Sequence, residues 1–142
     1  MDPIHATRQL INLALEEDIG SGDLTALAVP AEIQARARLV AKEDCVLSGL
    51  ELGALVLEVF GAVAEAKIPA GIEDGKFVKA GTTVLTFQGR ARDLLTTERT
   101  FLNLLQRTCG VATQAHRYKQ ALQGATLTVL DTRKTTPGLR YW

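Results

Sequence analysis

Thr126-Leu127-Thr128-Val129-Leu130 runs directly into Asp131-Thr132-Arg133-Lys134-Thr135-Thr136-Pro137-Gly138-Leu139-Arg140. The first five residues alternate and are rich in β-branched side chains, the pattern of a strand. On that reading Asp131 to Thr135 lie beyond the carboxyl end of a strand, where α/β enzymes keep their chemistry. Arg133 brings a planar fork suited to a carboxylate or phosphate, and adjacent Lys134 brings a compact charge, so the segment reads as an anion site. Alternate residues of an extended segment point opposite ways, so the two cations are expected to face different anions or different parts of one. Thr132 and Thr135 add hydroxyl donors, Asp131 is placed to orient the arginine, and Pro137-Gly138 is expected to close the segment in a turn.

Outward from this segment, 142 residues with 46% hydrophobic content suffice for one domain with a real core, and nothing in the composition suggests disorder. Met1-Asp2-Pro3 lacks the basic start of a signal peptide, and the longest apolar stretch, Leu52 to Phe60, contains Glu58 and is too short to span a bilayer. Those features favour a soluble cytoplasmic protein. Cys45 and Cys109 show no metal-like spacing and are too few for a disulfide framework, so they read as two reduced thiols. The formal net charge of zero hides an asymmetry: residues 1–98 hold fifteen acids and nine bases, whereas residues 99–142 hold Asp131 alone against seven bases. A basic segment concentrates anionic partners, either small phosphates and carboxylates or nucleic acid. Phe101, Tyr118, Tyr141 and Trp142 are too scattered for a base-stacking surface, which makes nucleic acid the weaker option.

Asp2-Pro3 suits an N-cap and first helical position, and Ile4, Ile11, Ala14 and Leu15 recur at helical spacing, predicting a helix over 3–17. The acidic turn Asp18-Ile19-Gly20-Ser21-Gly22-Asp23 follows; it lacks calcium-loop spacing and has no His or Cys partner, which favours a structural turn over a metal loop. Residues 34–42 alternate like a strand, Glu43-Asp44 reads as a turn, and Cys45 to Leu47 as a short strand. Gly49 to Phe60 is expected to form a helix sandwiched between layers, with too many apolar positions for an exposed one. Residues 63–68 and 76–88 return to strand patterns around Glu73-Asp74-Gly75, with the look of a small barrel or hammerhead. Lipoyl carriers share such a pattern, but no lysine here has a carrier's flanks.

From Leu94 to Leu122 the pattern is helical, with Phe101, Leu104, Leu105, Thr108, Ala112 and Ala115 on one stripe. Gly110 is expected to bend this helix or split it in two. Arg99, Asn103 and Gln106 share a face off the stripe, which is either solvated surface or part of a site. A long helix feeding the strand 126–130 would open a β/α unit. His5 and His116 complete no Ser/His/Asp or Cys/His arrangement, and no Gly-rich phosphate loop or dinucleotide fingerprint is present. What such residues offer is binding, orientation and electrostatic stabilisation of charged reactants.

Five segments together resemble the quinolinate phosphoribosyltransferase family, the carboxylating nicotinate-nucleotide pyrophosphorylases. They are Leu15 to Thr25, Ala41-Lys42-Glu43 with Ser48-Gly49, Glu98-Arg99-Thr100 with Leu102-Asn103, Gly110 to Thr113, and Asp131 to Thr135 through Pro137 to Arg140. The resemblance implies an N-terminal α/β sandwich over residues 1–110, including the start of a linking helix, and the first helix and strand of an incomplete α/β barrel over 111–142. It implies a pentosyltransferase of NAD biosynthesis that acts as a homodimer, with no nucleic-acid or membrane partner. Quinolinate and phosphoribosyl pyrophosphate, with Mg2+, would give nicotinate mononucleotide, pyrophosphate and carbon dioxide. Carried onto this chain, Arg133 would bind a quinolinate carboxylate with Thr132 beside it. Lys134 would contact quinolinate or phosphoribosyl pyrophosphate, and Arg99 would reach the partner subunit's site.

The family pattern continues past Leu139-Arg140 through the rest of a barrel, with a His-Arg pair, a further lysine and the acids that serve the ribose and magnesium. A complete barrel takes roughly 200 residues or more. The expectation is therefore an incomplete, inactive portion with no catalytic residue or metal ligand of its own. Two alternatives share the motifs: a transferase-like protein of the same fold linked to molybdenum uptake, and a non-enzymatic oligomerising or anion-binding remnant.

Overall fold

The computed structural model describes residues 4–142, and the proposed Asp2-Pro3 cap lies outside that range. Helix α1 spans His5–Ile19 and turns Thr7, Ile11 and Leu15 inward, one residue per turn. Gly20 ends it, its N–H bonded to the Glu16 carbonyl at 3.0 Å. A short helix α2, Leu24–Leu27, follows the acidic turn; Asp23 caps it by accepting the Ala26 N–H at 3.0 Å.

Strands β1 (Gln34–Val40), β3 (Ala64–Lys67) and β5 (Thr83–Arg90) form an antiparallel sheet in the order β1-β5-β3. Strands β2 (Cys45–Val46) and β4 (Phe77–Val78) pair separately, Cys45 opposite Val78. The strands follow the alternating stretches of the sequence, split more finely than its period shows, and β5 runs two residues past the expected end at 88. Gly89 of β5 lies opposite both Ala35 and Ala64. A Cβ there would come within 2.3 Å of the Ala64 Cβ, so the close approach of β3 requires glycine.

Helix α3, Leu52–Phe60, buries Leu52, Leu55, Val56 and Leu57, as its apolar surplus predicts. The segment leading into it is held by Asp74, whose carboxylate accepts the Gly49 and Leu50 N–H groups at 2.9 and 3.1 Å. The core joins α1, α3, β5 and α4 through Ile11, Leu50, Leu52, Val56, Leu85 and Leu105. Phe87 and Phe101 meet edge to face, with ring centroids 5.4 Å apart.

Helix α4 differs from expectation in extent and continuity. It runs over Ala91–Ala121, starting three residues before Leu94, because Arg90 is the last extended residue of β5. It also passes through Gly110 without interruption. Buried Leu104, Leu105 and Thr108 hold it on one side of the glycine, and on the other Thr113 accepts the Val46 N–H at 2.9 Å. Those tertiary contacts outweigh a propensity cost of about 1 kcal/mol.

The expected strand at Thr126 to Leu130 does not form. The segment is irregular and exposed, Leu130 by 80%. Alternation is a pattern of side chains, but a strand also needs a neighbour to take its backbone hydrogen bonds, and among the described residues none pairs with it. The described residues therefore form a mixed α+β unit with open sheets, a long helix α4 and an irregular basic tail.

Candidate functional site

Residues 131–142 are irregular but anchored. Leu139 is buried in the core beside α1, and its N–H closes a turn on the Thr136 carbonyl at 3.1 Å, as Pro137-Gly138 predicts. Thr7, itself 1% exposed, donates to the Gly138 carbonyl at 2.7 Å and accepts the Trp142 indole N–H at 3.1 Å. Ser48 donates to the Trp142 carbonyl at 3.0 Å. Gly138 has φ +80°, and a Cβ there would lie 2.9 Å from Leu10, so this docking also requires glycine.

The anchored base presents a basic loop to solvent. Thr132 accepts the Lys134 N–H at 3.3 Å, and Arg140 donates to the Arg133 carbonyl at 3.3 Å and to the Thr135 hydroxyl at 3.1 Å. From α4, Arg107 donates to the Thr136 hydroxyl at 3.2 Å. Thr132, Arg133 and Lys134 are thus brought together, and two further arginines brace their loop. Arg140 belongs to the quoted motif, but nothing in the sequence gives it or Arg107 this bracing role, which rests on contacts made by the fold. Among the described residues neither the Arg133 guanidinium nor the Lys134 ammonium has an ion-pair partner. Asp131 does not orient the arginine: Arg140 holds Arg133 instead, through its backbone carbonyl.

Arg99 lies elsewhere. It precedes Arg107 by eight residues on α4, about 12 Å along the helix axis. Its Nη1 donates to the Asp18 carboxylate on the last turn of α1 at 2.7 Å. It forms part of the wall of two adjoining clefts. One, of about 470 Å³, includes Asp23, Thr25 and Thr96; the other, of about 300 Å³, includes Glu17, Thr100 and Asn103. Asn103 and Gln106 are exposed, as their shared polar face implies.

The two aspartates of the acidic turn have separate partners, Asp18 on Arg99 and Asp23 on α2 and Thr96. Asp23 accepts from Ala26 N–H and from the Thr96 hydroxyl at 2.9 Å. These two bonds, backbone first, hold its carboxyl below the usual range, with a smaller contribution from the nearby Arg99 charge. His116 stacks on Phe77 with ring centroids 5.5 Å apart. Burial raises both cysteine thiols, most directly opposing thiolate chemistry. The arrangement can bind and orient anions; among the described residues it offers no assembled nucleophile and base.

Comparison with known proteins gives concordant results. The profile described as quinolinate phosphoribosyl transferase, N-terminal domain, matches residues 23–109, and the one described as its C-terminal domain matches 111–142. The nicotinate-nucleotide pyrophosphorylase [carboxylating] of Mycobacterium leprae is 42% identical over 138 residues, 95% of this chain and 48% of that protein. The crystal structure of NadC from Streptococcus pyogenes superposes with a TM-score of 0.85 at 38% identity, covering 94% of this chain and 47% of its own. The nicotinate-nucleotide pyrophosphorylase of Francisella tularensis superposes with a TM-score of 0.86 at 29% identity, covering 97% and 49%. The chain spans about half the length of these relatives.

Proposed function

This chain belongs to the quinolinate phosphoribosyltransferase family, and on that premise we propose that it supplies the carboxylate-binding part of such an enzyme. The proposed reaction is transfer of a phosphoribosyl group from phosphoribosyl pyrophosphate to quinolinate, releasing pyrophosphate and carbon dioxide and leaving nicotinate mononucleotide. Arg133 takes a quinolinate carboxylate with its fork, Thr132 adds a hydroxyl beside it, and Lys134 contacts quinolinate or a phosphate of the second substrate. The observation that carries this reading is the pair of cations without ion-pair partners among the described residues, on a loop whose back is fixed in the core. Fixing the backbone before substrate arrives lowers the ordering cost of binding and holds the two anions in a set relation. Positive charge beside the phosphates also favours departure of pyrophosphate.

In this reading the enzyme is a cytoplasmic homodimer, α4 links the unit 1–110 to 111–142, and Arg99 serves the partner subunit's site. The separation of Arg99 from the 131–140 loop within one chain supports that assignment. Among the described residues no helix is long and apolar enough to cross a membrane.

Magnesium, which the family reading includes, prefers several oxygen ligands in octahedral geometry. Among the described residues no group of three or more His, Cys, Asp or Glu could hold a metal ion, and Asp131 is the one acid of the basic loop. The donor set does not fit a resident magnesium ion, and the steps assigned to this chain are binding and orientation.

A calorimetric titration with quinolinate, run beside Arg133→Ala and with nicotinate as control ligand, tests the reading. Saturable binding that Arg133→Ala abolishes and nicotinate fails to reproduce is expected. Equal binding of both ligands, or binding indifferent to Arg133, would overturn the dicarboxylate assignment.

A further inference from the structure

We propose that Asp18 is a positioning residue for Arg99, holding its guanidinium in the orientation in which it meets an incoming carboxylate. The inference rests on the reading of Arg99 as a substrate-binding residue.

The two residues are 81 apart in the chain, on α1 and α4, and their side chains meet at 2.7 Å. Their exposures are unequal: the Asp18 side chain is 20% exposed and that of Arg99 is 75% exposed. A recessed carboxylate therefore holds a projecting cation. Both supports are rigid, since Ile11 and Leu15 seat α1 in the core and Thr100 and Phe101 seat α4 beside Arg99. Asp18 engages Nη1; among the described residues Nε and Nη2 of Arg99 carry no hydrogen bond. A guanidinium has five N–H donors in a fixed fork, so one carboxylate can hold it while a second approaches its remaining edge.

The other acids around the two clefts do not take this role. Asp23 is committed to Ala26 and Thr96, while Glu17 and Glu98 form no ion pair among the described residues. An ion pair this exposed contributes little to folding stability. Its larger effect is on rotamer freedom, because a long arginine side chain loses considerable entropy when it is fixed on binding. Asp18 removes part of that loss before the ligand arrives. This gives the acidic turn a purpose beyond capping α2: its first aspartate sets the arginine, and its second sets the helix whose start lines the same cleft.

Quinolinate affinity and thermal unfolding of the full chain would be measured for the parent, Arg99→Ala, Asp18→Asn and Asp18→Glu. Expected is a loss of binding in Arg99→Ala and a roughly three- to tenfold weakening in Asp18→Asn, the cost of ordering one long side chain. Asp18→Glu should recover most of that affinity, and neither Asp18 variant should shift the melting temperature appreciably. If Arg99→Ala weakens binding while Asp18→Asn binds like the parent, the positioning role is overturned and the reading of Arg99 stands. If Asp18→Asn weakens binding only in step with a lost fold, the role is structural and the proposal fails. If the parent does not bind, or Arg99→Ala binds like the parent, the reading of Arg99 falls and the proposal falls with it.

Discussion

Thr7 and Gly138 are joined across 131 residues by a 2.7 Å hydrogen bond from the threonine hydroxyl to the glycine carbonyl. The same oxygen of Thr7 accepts the indole N–H of Trp142, so one buried hydroxyl fixes the basic loop from behind. An exposed basic loop is thereby held by a residue that α1 buries. The consequence is that loop position depends on the packing of the N-terminal helix.

Thr7→Val, nearly isosteric, removes a donor and an acceptor while leaving the Gly138 carbonyl and the Trp142 indole to find other partners. A destabilisation of about 1–3 kcal/mol is expected, the cost of an unsatisfied buried polar group. Urea unfolding of parent and variant measures it, and an unchanged midpoint would show that the loop is not held here.

Gly89→Ala places a Cβ against Ala64 and the Val63 carbonyl, both backbone-fixed positions with nowhere to yield. Overpacking of this kind is expected to cost about 1–3 kcal/mol or more. Hydrogen exchange should show the loss first at the β3–β5 pairing, with β1–β5 less affected.

Gly110→Ala should act in the opposite direction. The residue is exposed within a continuous helix, and a Cβ there meets nothing within 4 Å. Stabilisation of roughly 0.5–1 kcal/mol is expected from the reduced backbone entropy cost. A decrease in stability would show that α4 does bend at this point.

Acidification tests Asp23. Its carboxyl is held below the ordinary value of 3.8 by the Ala26 N–H, then by the Thr96 hydroxyl. The folded state therefore binds that proton less readily than the unfolded chain. The contribution of Asp23 is present above the unfolded value and is lost as pH falls through the lower folded value. Thermal unfolding of parent and Asp23→Asn should accordingly converge below pH 3.8 and separate above it. A gap that stays constant with pH would exclude this carboxylate as its source.

Features that depend on near neighbours could be read from the chain alone. Ile11 and Leu15 on the inward face of α1, the apolar surplus of α3 and the periodicity of α4 were legible because helical contacts recur every three or four residues, whereas buried Thr7 was not marked by that pattern. The basic segment was legible as well, since charge and hydrogen-bonding capacity belong to side chains wherever they lie. Other features depend on partners distant in the chain and emerge only when the fold brings those partners together. The fold carried α4 through Gly110, since Thr113 meets Val46 sixty-seven residues away. It left Thr126 to Leu130 without a strand partner among the described residues, and it set Arg99 against Asp18 rather than beside Arg133. A side-chain period specifies which face turns inward, but a backbone hydrogen bond or an ion pair needs a second element brought to within about 3 Å, and folding alone supplies it.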